Sequence, residues 1–229
     1  EFVPETAALF AEVMPRYFAE EEVAVVTGGA AISQHFAELP FDHLLFTGST
    51  RIGAKVMQSA AKNLVPVTLE LGGKSPVVIG RSAKVELAGT RLTFGKLLNG
   101  GQLCLSPDYV LVPEELEAQL IARVVSETQS MYPNITENTD YAGVFDERHF
   151  ARLLGYIDDA VAKGAKLTIV GADKTRASEN NRRMPLHILQ NVTEDMQVMH
   201  EEIFGPILPV MTYNDITEVP DKIEPRRNP

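Results

Sequence analysis

Apolar positions alternate along the chain between helical spacing and short unbroken runs. Leu9, Phe10, Val13, Met14 and Phe18 recur at a helical period, predicting a helix over 6–19. Val23 to Val26 is a short apolar run closed by Gly28-Gly29, a buried-strand pattern. A short helix is predicted over 32–39, a strand at 44–46, a helix rich in Ala, Met and Lys over 52–64, and a strand over 65–71. Helices between short apolar strands define a parallel, doubly wound sheet.

After Gly72-Gly73 a second α/β unit begins. Strands are predicted at 76–79, 109–112, 167–170, 186–191 and 207–212. Helices are predicted at 85–98, 114–130 and 147–163, the first stopping at Asn99-Gly100-Gly101 and the last at Gly164. The segments 131–140 and 172–183 read as polar loops. The boundary therefore falls between units 1–72 and 73–229. No internal repeat or low-complexity segment interrupts them.

Composition narrows the function classes. Apolar residues make up 45% and charged residues 23%, ordinary values for a globular chain able to bury a large core. The formal net charge of −10 argues against general nucleic-acid binding. No apolar run reaches membrane-spanning length, and no secretory signal opens the chain. One cysteine fits a reducing compartment, here the cytoplasm, and excludes a disulfide scaffold. No metal site is expected. The chain opens at Glu1 without Met and closes straight after a folded pattern, so its ends read as cut. Arg226-Arg227 reads as part of a solvated tail.

That cysteine, Cys104, follows Asn99-Gly100-Gly101-Gln102-Leu103. A free cysteine is commonly a small buried hydrophobe. Flanking glycines instead allow close backbone approach to a substrate, and a cysteine in such a turn can offer its N–H to an oxyanion. Glu70 interrupts the apolar run Val67-Thr68-Leu69-Glu70-Leu71. It either faces solvent, pairs with a cation such as Lys74, or acts as a base at a strand end. Gly48-Ser49-Thr50-Arg51-Ile52-Gly53 follows a strand and opens a helix, where a doubly wound sheet binds a dinucleotide phosphate. The spacing is not G-x-G-x-x-G, and a plain Ser or Thr helix cap fits equally well. Glu202 and Phe204 flank Ile203 before Gly205-Pro206. They form a turn with a half-buried aromatic, or a carboxylate for ribose hydroxyls beside a ring for a flat ligand. The histidines at 35, 43, 149, 187 and 200 fall in no nucleophile–base motif, which speaks against a cofactor-free cysteine hydrolase.

Four segments together resemble, in order and spacing, the signatures of the NAD(P)-dependent aldehyde dehydrogenase superfamily. They are Phe46-Thr47-Gly48-Ser49, Leu69-Glu70-Leu71-Gly72-Gly73-Lys74-Ser75-Pro76, Gly101-Gln102-Leu103-Cys104 and Glu202-Ile203-Phe204-Gly205-Pro206. The stretch through Ser106-Pro107-Asp108-Tyr109-Val110 is similar to the branch of class 3, fatty and coniferyl aldehyde dehydrogenases. The resemblance implies part of a doubly wound nucleotide-binding domain over 1–72 and part of an α/β catalytic domain over 73–229, both incomplete. It implies Cys104 as nucleophile and Glu70 as general base. Gly48, Ser49 and Gly53 would line the cofactor, Glu202 would hold the nicotinamide ribose, and Phe204 would pack near the nicotinamide. Glu1 resembles a carboxylate that contacts the adenosine ribose, which leans towards NAD while leaving NADP open. The implied reaction is oxidation of an aldehyde, with a coniferyl-type aromatic favoured, to an acid through a thiohemiacetal and a thioester. A relative passing the thioester to coenzyme A, or a non-catalytic protein on the same fold, are the alternatives. Retention of Glu70 favours hydrolysis. The resemblance also implies a homo-oligomeric parent. The family's oxyanion-hole Asn and ribose-binding Lys would precede Glu1, so the piece alone is expected to be inactive or nearly so.

Overall fold

The computed structural model describes residues 2–171, 177 and 181–224. The chain divides into two compact units, 1–72 and 73–229.

In the first unit, β1 (Leu44–Thr47) and β2 (Val67–Glu70) pair in parallel, with Leu44 opposite Val67 and Thr47 opposite Glu70. The crossover between them is α3 (Thr50–Ala61), as a parallel pair requires. Ala37, Leu44, Ala60 and Val65 form a small core, with Phe41, Val56 and Val67 against it. Preceding these are α1 (Pro4–Val13) and α2 (Ala30–Phe36).

Two expectations fail here. No strand forms at Val23–Val26, and the valines at 23, 25 and 26 are exposed. An isolated extended segment gains nothing without a ladder, and β1 and β2 pair only with each other among the described residues. The first helix has the predicted periodicity but buries none of its residues.

The second unit holds a five-stranded sheet in the order β3-β4-β7-β6-β5. Its strands are β3 (Pro76–Val78), β4 (Tyr109–Pro113), β5 (Lys166–Val170), β6 (Leu186–Gln190) and β7 (Ile207–Tyr213). All pairs are parallel except β5 with β6, which is antiparallel. Three longer helices cover it: α4 (Val85–Leu97), α5 (Glu117–Met131) and α6 (Glu147–Ala162). The short α7 (Val219–Ile223) follows β7.

Alternation along β4 shows the layering. Tyr109 and Leu111 join Phe150, Leu153 and Ile157 of α6 in one cluster. Val110 and Val112 join Leu92 and Leu97 of α4 and Leu120 and Val124 of α5 in another. Every residue of β4 is buried, which is why the strand reads as one apolar run rather than an alternation. Each of these Leu and Val side chains contributes about 1.5–3 kcal/mol by burial. Helix α6 starts where Asp146 accepts the His149 N–H at 2.5 Å. It stops at Gly164, whose φ of +98° only glycine adopts readily.

Candidate functional site

Cys104 lies in an exposed turn between α4 and β4. Three successive residues before it are left-handed: Asn99 (φ +51°), Gly100 (+63°) and Gly101 (+75°). This reversal is held on both sides. The Gln102 side chain donates to the carbonyls of Asn99 and Gly143, each at 3.0 Å, and accepts the Phe145 N–H at 3.0 Å. Asn99 Nδ2 returns a bond to the Gln102 carbonyl at 3.2 Å. At Gly101 a Cβ would stand 2.5 Å from the Gly205 carbonyl oxygen and 2.9 Å from that of Lys96. Glycine is therefore required twice over, by φ and by space. The same contact sets the Cys104 turn against the turn that carries Glu202 and Phe204.

Glu202 and Phe204 are half-buried on either side of buried Ile203. Phe204 is left-handed at φ +51°, uncommon for a bulky residue. Burial raises the Glu202 carboxyl above its ordinary range, and the nearby Asp108 charge adds to this. The Gly73 N–H, Arg152 and Lys74 oppose it.

Lys74 finds its charge partner within the second unit. It is fully buried and bound to Asp108 in an ion pair. Its ammonium also donates to the carbonyls of Val198 at 2.8 Å and Glu201 at 3.0 Å. Asp108 Oδ1 accepts the Ile203 N–H at 2.9 Å. A buried charge needs such a full set of partners. Lys96, on α4, is buried as well and donates to the Pro107 carbonyl at 2.8 Å. Burial pushes its ammonium down to about 8, Asp108 and Glu202 working against this and Lys74 with it.

Sequence reading missed a second set of side chains on α6. Arg152 donates to the carbonyls of Glu202 at 3.1 Å and Ile203 at 2.7 Å, and His149 Nε2 lies 2.8 Å from that of Phe204. The spacing i, i+3 of these two polar residues on an otherwise apolar helix face was the available signal.

In the first unit, Glu70 is exposed at the end of β2. Its carbonyl accepts the Gly48 N–H at 3.0 Å, so those two expected residues meet through backbone. Ser49 occupies the N-cap position of α3 without a side-chain capping bond. Gly53 is buried, and a Cβ there would stand 2.7 Å from a Leu71 methyl. Glycine there leaves room for the Leu71 side chain, which follows β2. Glu1 lies outside the described residues. Among those described, no group of three or more His, Cys, Asp or Glu side chains could hold a metal ion.

Parallel strands covered by helices on both faces of the larger sheet define an α/β protein of the doubly wound class. More narrowly, the model of the aldehyde dehydrogenase family matches residues 1–223, and the chain belongs to that family. A probable coniferyl aldehyde dehydrogenase of Caulobacter vibrioides is 44% identical over the whole chain, which covers 47% of that protein. The coniferyl aldehyde dehydrogenase of Pseudomonas sp. is 42% identical over the whole chain, which covers 48% of it. Among solved structures, Staphylococcus aureus AldH in a substrate-bound state superposes with a TM-score of 0.91 at 36% identity, over 100% of this chain and 49% of that one. A Mycobacterium tuberculosis aldehyde dehydrogenase complexed with NAD+ gives a TM-score of 0.84 at 29% identity, over 94% and 45% respectively. The chain thus spans about half the length of the relatives it matches.

Proposed function

We propose that this chain carries the central chemistry of an enzyme that oxidises an aldehyde to a carboxylic acid with a nicotinamide cofactor. The observation that carries the reading is the Cys104 turn: the only thiol of the chain is exposed, on a rigid left-handed reversal packed against the Glu202–Phe204 turn. A structural cysteine is buried, and a mobile one needs no such bracing.

The residues present fit a dinucleotide. The Gly48-Ser49 turn leads into a helix N-terminus with no side-chain cap, and Gly53 provides close packing behind it. Gly48, Ser49 and Gly53 are assigned to the pyrophosphate side, Glu202 to the ribose of the nicotinamide half, and Phe204 to the nicotinamide ring. NAD is the favoured cofactor, which when bound supplies the hydride acceptor.

Cys104, as thiolate, adds to the aldehyde carbon and forms a C–S bond, and the carbonyl oxygen becomes the oxyanion. The Cys104 backbone N–H is assigned as a donor to that oxygen. After oxidation Cys104 holds the acyl group as a thioester. Glu70 then takes a proton from water, the resulting hydroxide attacks the thioester carbon, and the C–S bond breaks to return the thiolate and release the acid. A coniferyl-type aromatic aldehyde is the favoured substrate, supported by the names of the relatives described above. Cytoplasm is the favoured location, because a thiol nucleophile must stay reduced. The 229 residues alone are expected to turn over little aldehyde.

The test uses the full-length protein with coniferyl aldehyde and NAD. Cys104→Ala should lower NADH formation by about 10³-fold or more. Glu70→Gln should leave one rapid equivalent of NADH per site followed by slow turnover, as thioester accumulates. Retention of most of the wild-type rate by Cys104→Ala would sink the reading.

A further inference from the structure

The Glu202–Phe204 turn hangs from charged and ring donors that none of the assigned roles uses. From one side, α6 presents His149 and Arg152. Arg152 spans two successive carbonyls, those of Glu202 and Ile203, and a third bond reaches the Tyr156 hydroxyl at 2.7 Å. Its guanidinium carbon stands 4.9 Å from the centroid of the Tyr156 ring. His149 takes the next carbonyl, that of Phe204. From the other side, Lys74 holds the Glu201 carbonyl and Asp108 the Ile203 N–H. Four consecutive carbonyls, 201 to 204, are therefore fixed.

The bonds also fix the histidine tautomer. The Phe204 carbonyl can only accept, so His149 Nε2 carries the proton given to it. That leaves Nδ1, 3.3 Å from Arg152 Nε, as the ring's acceptor. The imidazole is stacked on Phe145, centroids 4.7 Å apart, and stands edge-on to the Phe204 ring at 5.9 Å. A left-handed Phe204 is costly to hold, and its carbonyl is where His149 grips it.

We propose that Arg152 and His149 are positioning residues for cofactor binding, acting through the backbone of the Glu202–Phe204 turn. The proposal rests on the assignment of Glu202 and Phe204 made above. Protonation of His149 would remove the Nδ1 acceptor and set a second cation beside Arg152. The charged groups facing the ring are Arg152, Asp146 and Arg148, with the Phe204 carbonyl as its hydrogen-bond partner. Burial above all disfavours the charged ring, and the two arginines add to this, so the neutral ring is the working form.

The experiment compares wild type with Arg152→Met, Arg152→Lys and His149→Gln in the full-length protein. It reads NADH affinity by fluorescence, hydrogen exchange of the 198–206 peptide, and alkylation of Cys104. Arg152→Met is expected to weaken NADH about tenfold and to speed exchange in 198–206, with thermal unfolding still cooperative and Cys104 alkylation unchanged. Lysine keeps the charge but loses the fork and should recover only part of the affinity. Glutamine at 149 can donate to the Phe204 carbonyl and accept from Arg152. It should keep most of the affinity and abolish the loss that wild type shows as pH falls below the ordinary imidazole range. Faster exchange with unchanged NADH affinity would support positioning of the turn and overturn its assignment to the cofactor. Unchanged exchange in a folded Arg152→Met protein would overturn the proposal itself.

Discussion

Asp108→Asn is the most informative single perturbation of the second unit. Its carboxylate and the Lys74 ammonium are 4% and 0% exposed, so neither charge is solvated when the other is lost. Breaking a buried pair from one side costs about 3–5 kcal/mol. Lys74 keeps two carbonyl acceptors, and the asparagine oxygen can still receive the Ile203 N–H, so the lower end applies, about 3 kcal/mol. A second effect follows from Lys96. Asp108 is the main charge opposing the burial that pushes Lys96 down to about 8. Without the carboxylate, the buried Lys96 ammonium loses its main opposing charge while Lys74 remains beside it, and it sheds its proton at lower pH. Urea unfolding should therefore show the full loss at pH 7 and a smaller one at pH 9. In a cycle with Lys74→Met, the double variant should lose about 2 kcal/mol less than the sum of the singles. A loss below about 1 kcal/mol at pH 7, or additivity within about 0.5 kcal/mol, would refute the reasoning.

Further outcomes follow from the same geometry. Gly101→Ala places a Cβ 2.5 Å from the Gly205 carbonyl at a φ of +75°, and should cost more than about 2 kcal/mol in chemical denaturation and slow Cys104-dependent turnover. Burial lowers the His149 pKa, so below about 6.5 the unfolded chain takes up a proton that the folded ring resists. Stability should fall as pH drops through that window, and His149→Gln should flatten this part of the profile. Lys96 gives the opposite end: between about 8 and 10.5 the unfolded chain holds a proton that the folded one has released, so stability rises with pH. Lys96→Met should remove that rise in urea unfolding measured across the range.

Much of this arrangement was legible in the sequence, for reasons that differ by element. The strand at 109–112 announced itself because burial on both faces demands an unbroken apolar run. Helix α6 was readable over 147–163 with its stop at Gly164. Helix α7 was missed although Asp215 and Glu218 form a capping box ahead of it, because a five-residue helix has no periodicity to detect. The segment at 23–26 has a strand's composition, but strand formation belongs to the neighbour as much as to the run itself. The partner of Lys74 was unreadable, since Asp108 sits far along the chain and only folding brings them together. Arg152 and His149 left only their i, i+3 spacing as a sign, because the backbone carbonyls they act on carry no signature of residue type.

The strand order β3-β4-β7-β6-β5 places the last of these five strands to be made at the middle of the sheet. While a ribosome has delivered the chain only as far as Pro206, β4 and β6 both hold open edges that only β7 can close. Pairing Val110 with Val210 joins positions a hundred residues apart, so the closing step has high contact order and is slow. During that interval two apolar edges are free to recruit each other or a neighbouring nascent chain. Nascent chains ending before Ile207 would accordingly depend on chaperones far more than chains ending after Tyr213.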